Sequence, residues 1–351
     1  MRLPDRIFSW LGRAFRREEI PAPPPKRGPR DLVVILDGTL STLDEGCETN
    51  AGLACKLLRG QRGKSLALYY EAGLQWDGWR DTLAVMTGNG IGSQIQRAYG
   101  WLASNYRPGD RIWLIGYSRG AYAVRSLSGI IGRVGLLKRD RATQRNENKV
   151  YQLYCNPNRQ QEIAAFRDNR CHENVQIEAI AVWDTVKALG LRLPVFWIIA
   201  NRLHGFHDHD LGHHVRAGFH ALAYNETRRA YAPVLWDTQP GWNGRLEQVW
   251  FRGTHADIGG QLNGRDYARP LSNIPFIWIF DRLSEHGLPL PDDWKSGFPT
   301  DPNAPSIGGW TGWARFFFAR WPRKVGQDRS ERLHETLEPH VKVSVKERLT
   351  A

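Results

Sequence analysis

Gly116-Tyr117-Ser118-Arg119-Gly120 is the stretch that decides how this 351-residue chain folds. It fits the G-x-S-x-G pattern of a nucleophile elbow, and its flanks supply the strand-turn-helix setting that pattern needs. The apolar run Arg111-Ile-Trp-Leu-Ile115 precedes it, and Ala121, Tyr122, Val124, Arg125, Leu127 and Ile130 follow as a plausible helix. Glycines two residues either side of the serine let strand and helix crowd together around a strained turn. Such a turn projects the Ser118 Oγ at the carboxyl end of a sheet. It also sets the Arg119 N–H at a helix N-terminus, where it forms half of an oxyanion hole.

Outward from the elbow, short apolar runs alternate with turn chemistry and longer mixed segments, the reading of a parallel sheet with crossover helices. Strands are expected over 32–36, 66–70, 111–115, 176–182 and 247–251, and helices over 92–104 and 121–134. The expected fold is therefore α/β, of the α/β-hydrolase kind, with a mainly parallel central sheet flanked by helices. Residues 31–351 form the expected catalytic domain, ending in an aromatic and basic C-terminal extension.

A serine hydroxyl needs a base to take its proton and a carboxylate to orient that base. His255, in Phe251-Arg-Gly-Thr-His-Ala-Asp-Ile-Gly-Gly260, lies just past an expected strand, as does Asp184 in Val182-Trp-Asp-Thr-Val186. The chain order Ser118, Asp184, His255 is the one this scaffold uses. Asp257, two residues from the histidine, is the rival acid, its bland role being to cap its own loop; topology favours Asp184. After the first strand, Asp37-Gly38-Thr39 suggests a haloacid-dehalogenase phosphatase, but the nucleophilic position there is Ile35, which cannot attack a phosphate. The loop suits a second oxyanion donor better, through the N–H of Gly38 or Thr39, with a simple turn as the alternative. Gly88-Asn-Gly-Ile-Gly92 lacks the lysine of a phosphate-binding loop and reads as a turn before a helix.

His204, His207, His209, His213 and His214 stand among Asp208 and Asp210. A solvated helix start is the commoner meaning of such a run, so no metal is expected, and the hydrolytic chemistry calls for no cofactor. The four cysteines show no CxxC spacing and read as free thiols. A net charge of +12 beside fifteen tryptophans suits an anionic membrane surface as a partner. Nothing in the aromatic and basic tail matches a helix-turn-helix, zinc-finger or RNP pattern, so nucleic acid is not expected.

Residues 1–30 stand apart. Ile7, Phe8, Leu11, Ala14 and Phe15 recur at helical spacing among arginines, and Pro21-Ala-Pro-Pro-Pro25 then reads as a linker. The segment is a membrane-surface helix, a helix docked on the protein body, or a basic tail. Its broken apolar stretch is not a signal peptide, and no run in the chain has the length of a membrane span, so the expected location is cytoplasmic, peripheral on the membrane, with delivery by a secretion system left open.

With these residues in view, the chain resembles the bacterial hydrolase family, long catalogued as a domain of unknown function, that includes the catalytic domain of type VI secretion phospholipase effectors. The resemblance is carried by Leu36-Asp-Gly-Thr39, Thr49-Asn50, Tyr69-Tyr-Glu-Ala-Gly73, Gly116-Tyr-Ser-Arg-Gly-Ala121, Val182-Trp-Asp-Thr-Val186, His220-Ala-Leu-Ala-Tyr-Asn-Glu226 and His255-Ala-Asp-Ile-Gly-Gly260. It implies an α/β-hydrolase fold, a Ser/Asp/His triad and phospholipase activity, with Ser118, His255 and either Asp184 or Asp257 in the roles. The chain departs from the family at Asn225, Arg252 and Gln261, where an aspartate, a proline and a glycine are usual. A lipid ester is thus the expected substrate. The alternatives are a catalytically silent membrane-binding protein on the same scaffold, and a hydrolase of small soluble esters or thioesters.

Overall fold

The computed structural model describes residues 27–61, 65–73, 89–186, 210–309, 319–337, 339 and 341. The N-terminal amphipathic positions, His204, His207 and His209, and Trp310, Trp313 and Phe316 to Phe318 lie outside them. In chain order the described elements that frame the site are β1 (Asp31–Leu36), α1 (Asn50–Arg59), β2 (Leu66–Glu71), α2 (Asn89–Asn105), β3 (Arg111–Tyr117) and α3 (Arg119–Arg133). They continue with α4 (Gln144–Tyr154), α5 (Gln160–Arg170), β4 (Ile177–Trp183), β5 (Ala217–Ala223), β6 (Arg245–Phe251), α6 (His255–Gly259), α7 (Arg269–Glu285) and β7 (Glu331–Leu333).

The seven strands form one sheet in the order β2-β1-β3-β4-β5-β6-β7, every neighbouring pair parallel. Parallel strands covered on both faces must be apolar on both, and β1, β4 and β5 are buried at every residue. Alternation divides them. Leu32, Val34, Leu36, Ile112 and Leu114 join the core under α2 and α3, whereas Val33, Ile35, Trp113 and Ile115 join the core under α1 and α7. Each fully buried aliphatic side chain stabilises the fold by about 1.5–3 kcal/mol, which pins the register of every strand.

From β1 the chain goes outward to β2 and then returns to β3 on the other side of β1. The two connections leave in opposite directions, opening a crevice at the carboxyl ends of β1 and β3, where doubly wound sheets bind ligands. The loop after β1 is anchored through Thr49, which caps α1 by accepting from the Gly52 N–H and donates to Asp37 Oδ2 at 2.7 Å. Asn50 ties α1 across to the carbonyls of Ile258 and Ser272.

All five expected strands and both expected helices are present, each within a few residues of its expected bounds. Two strands had no sequence expectation. In β5 small residues and His220 interrupt the apolar pattern, and β7 spans only three residues. Strand β7 completes the sheet edge beside β6, where the Trp250 indole donates to Glu331 Oε2 at 2.8 Å. The segment leading to it folds over the loop after β5: Arg229 N–H bonds the Ala319 carbonyl, and Trp321 N–H bonds that of Thr227. Cys47, Cys55, Cys155 and Cys171 are free thiols. Among the described residues no helix is long and apolar enough to cross a membrane.

Candidate active site

Ser118 ends the turn between β3 and α3 with φ 56° and ψ −117°, a conformation unfavourable to any residue with a Cβ. Its neighbours enforce it. A Cβ at Gly120 would lie 2.1 Å from the Leu36 carbonyl oxygen, and one at Gly116 2.7 Å from the Ala121 Cα. Only glycine lets α3 start so close to β1 and β3. The Ser118 N–H bonds the Trp183 carbonyl at 3.0 Å, which fixes the elbow to the end of β4.

Asp184 follows β4 directly and has a positive φ of its own, 41°. Its N–H bonds the Ala221 carbonyl, and the next amide, Thr185 N–H, bonds His220 Nε2 at 3.1 Å. With Nε2 accepting, the His220 proton sits on Nδ1, facing Gln248 Oε1. Burial pushes the His220 pKa down to about 3, so the ring is a neutral acceptor fixing the turn behind Asp184.

His255 opens α6. Its Nε2 lies 2.8 Å from Ser118 Oγ and its Nδ1 2.6 Å from Asp184 Oδ2. Burial opposes the charge on Asp184, yet Arg323 and His255 hold its carboxyl well below the usual carboxylate range. An ionised carboxylate only accepts, so the Nδ1 proton faces Asp184, and Nε2 is left to accept from the serine hydroxyl. The ring packs between Tyr117 and Tyr231, with centroids 5.0 and 4.7 Å away, and the backbone N–H of His255 meets Glu226 Oε2 at 3.2 Å. Serine, histidine and aspartate are 7%, 3% and 0% exposed.

Asp257 points elsewhere. It accepts from Thr254 N–H and Oγ–H, from Ser306 Oγ–H and from Ile307 N–H, all within 2.9 Å, which makes it the fastening of its own loop. Of the two acids that the sequence left open, only Asp184 meets His255.

The loop after β1 separates the two oxyanion alternatives. Gly38 N–H is committed to Asp37 Oδ1 at 2.6 Å, whereas among the described residues no acceptor takes the Thr39 N–H. The Thr39 carbonyl accepts from Gln261 Nε2 at 2.8 Å. Gly73 backs this peptide so closely that a Cβ there would lie 2.0 Å from the Gly38 oxygen. Asp37 itself is pushed up to about 6 by burial, against hydrogen bonds from Thr49, Gly38 and Tyr70. Arg119 opens α3 beside the serine, where helix amides face outward.

Four participants had no assigned role in the sequence. Glu226 and Arg228 form a buried two-pronged pair under the His255 amide; the family block ended on Glu226 without indicating its partner. His220 belonged to the same block. Arg323, bonded to Asp184, comes from a tail with no pattern that would have marked it. The departures also find contacts: Asn225 Oδ1 accepts from Gly253 N–H, and Arg252 donates to the carbonyls of Pro302 and Ala304. Of the histidine run, His214 packs against Ser128, and among the described residues no cluster could hold a metal ion.

A parallel sheet with helices on both faces and a strained serine at its switch point defines an α/β-hydrolase scaffold. The chain belongs to the family described as "T6SS, Phospholipase effector Tle1-like, catalytic domain", whose model matches residues 30–282. A curated relative, "Uncharacterized protein YEL023C" of Saccharomyces cerevisiae, is 24% identical across 60% of this chain, which spans about a third (33%) of that relative's length. Among solved structures, an uncharacterized protein from Pseudomonas aeruginosa superposes with a TM-score of 0.44 and 13% identity over 85% of this chain and 50% of its own. The Tle1 effector bound to the VgrG spike of the type 6 secretion system gives 0.31 and 17% over 67% and 52%. Esterase Est2 of Thermogutta terrifontis gives 0.38 and 14% over 77% and 88%.

Proposed function

We propose that this chain is a serine hydrolase of carboxylic esters and that its substrates are lipids, phospholipids foremost. The observation that carries the reading is the unbroken relay from Ser118 Oγ through His255 to Asp184, with both contacts at hydrogen-bond length and the serine on a strained elbow. His255 Nε2 takes the hydroxyl proton as Oγ attacks the ester carbonyl. The developing oxyanion is held by the N–H groups of Arg119 and Thr39. Collapse breaks the bond to the alcohol, which leaves with the proton from His255, and the acyl group stays on Ser118. Water, deprotonated by the same nitrogen, then releases the carboxylic acid. The choice of lipid is supported by the phospholipase effector description of the family.

The test is labelling of purified protein with a fluorophosphonate, which reports an activated serine whatever the substrate. Wild type labels and Ser118→Ala does not; equal labelling of both proteins sinks the proposal. Release of fatty acid from phosphatidylglycerol and phosphatidylethanolamine vesicles then tests the lipid assignment against hydrolysis of a short soluble ester.

A further inference from the structure

Arg323 stands outside the family-matched residues 30–282, yet its guanidinium reaches the carboxylate behind His255. Nη1 lies 2.5 Å from Asp184 Oδ1 and Nη2 2.9 Å from Oδ2, the two-pronged pairing that a planar fork favours. Nη1 also donates to the Ala223 carbonyl and Nη2 to that of Tyr231. One side chain thus joins the turn after β4, the end of β5, and the loop whose tyrosine packs on the imidazole. The two side chains are 4% and 0% exposed, so little water screens the pair.

Stability alone is a poor reason for this arrangement. Buried ion pairs often contribute less than the apolar groups that would replace them, and among the described residues the buried Nε of Arg323 has no acceptor.

We propose that Arg323 is a positioning residue that shares the charge of Asp184, so that the carboxylate orients His255 without strongly favouring its protonated form. The proposal rests on the Ser118–His255 reading above. A lone buried carboxylate stabilises an imidazolium beside it; one already paired with a guanidinium stabilises it less. Both His255 Nδ1 and Arg323 Nη2 meet the same atom, Oδ2. Without the guanidinium, the whole charge of the Asp184 carboxylate would fall on the imidazole beside it and favour the imidazolium.

Other titratable groups surround the relay. Tyr117 faces the ring from β3 and Tyr231 from the segment after β5, where Glu226 meets the His255 backbone N–H and Arg228 lies over the Tyr231 ring. Asp257 lies on the ring's own helix, and His220 stands behind the Asp184 turn. Glu226 and Arg228 pair with each other, and Asp257 is met by four donors. Arg323 is the cation on the relay carboxylate itself.

The experiment follows the His255 ring by NMR in nitrogen-labelled histidine protein, its resonance assigned by loss in His255→Gln. Wild type, Arg323→Gln and Arg323→Lys are titrated, and fluorophosphonate labelling rates are measured across the same pH range. Arg323→Gln is expected to move both the ring's midpoint and the acid limb of labelling upward by about one pH unit. Arg323→Lys keeps the charge but loses the fork, so its midpoint stays near wild type while labelling slows. An unmoved midpoint in Arg323→Gln overturns the proposal, as does a lysine variant with the glutamine variant's midpoint. Arg323→Met, which fills similar space, is the second neutral variant should the glutamine protein not fold. Labelling that persists in Ser118→Ala removes the serine reading, whereas the NMR midpoint judges Arg323 separately.

Discussion

The Gln261 side-chain amide donates to the Thr39 carbonyl across 2.8 Å, joining the loop after β1 to the far end of the helix that carries His255. The peptide it holds is the neighbour of the proposed oxyanion donor.

Gln261→Ala should therefore lower kcat on a short ester by about tenfold with little change in KM. Losing one oxyanion donor costs roughly a hundredfold or more, and a loosened peptide costs less than a lost one. Steady-state kinetics checks this. A rise in KM alone would mean that Gln261 shapes substrate access instead.

The two candidate acids separate by what each substitution damages. Asp184→Asn should cut the labelling rate by about ten-thousandfold, because the amide presents the wrong hydrogen-bonding pattern to Nδ1. Asp257→Asn should retain most labelling and lose about 1–3 kcal/mol of stability as its loop fastening weakens. Labelling rates and urea denaturation of the two variants distinguish these outcomes.

Gly120→Ala tests the crowding at the elbow. Its methyl group would collide with the Leu36 and Asp37 carbonyl oxygens, which are backbone and cannot swing aside. Destabilisation of about 3 kcal/mol or failure to fold is expected, read from the urea midpoint.

His220 predicts a pH effect of known sign. Its folded pKa of about 3 lies below the ordinary histidine value of 6.5, so between those pH values the unfolded chain binds more protons. Stability from this group is present above pH 6.5 and is lost as pH falls toward 3, on the order of 5 kcal/mol in all. Asp37 acts oppositely: raised to about 6 from 3.8, it lowers stability as pH rises through that window. The difference between wild type and His220→Gln, from denaturation at a series of pH values, isolates the histidine. A difference independent of pH would refute the assignment.

The elbow and the strand that feeds it were legible because both signals are local. Turn glycines and an apolar run are read within ten residues, and the order of serine, aspartate and histidine needs only a parallel sheet. The choice between Asp184 and Asp257 was not local. Spacing from His255 pointed to Asp257 and topology to Asp184, and what decides is the direction of a side chain on a helix of five residues. Strand β5 was hidden because Gly218, His220 and three alanines carry little of the β-branched signal that marks a strand, although the sheet buries all seven residues. Arg323 was beyond reach altogether: an arginine among many announces nothing until the chain brings it within 3 Å of a carboxylate 139 residues away.

Ser118 keeps a backbone angle that glycine would accept at almost no cost and serine accepts at about 1–3 kcal/mol. The fold thus opposes the proposed nucleophile, and selection for stability alone would replace it. A homologue with glycine at this position and the surrounding sheet intact would be the expected remnant of a retired enzyme, more robust than its working ancestor. A serine kept at such a site is what the proposed use of its hydroxyl would require.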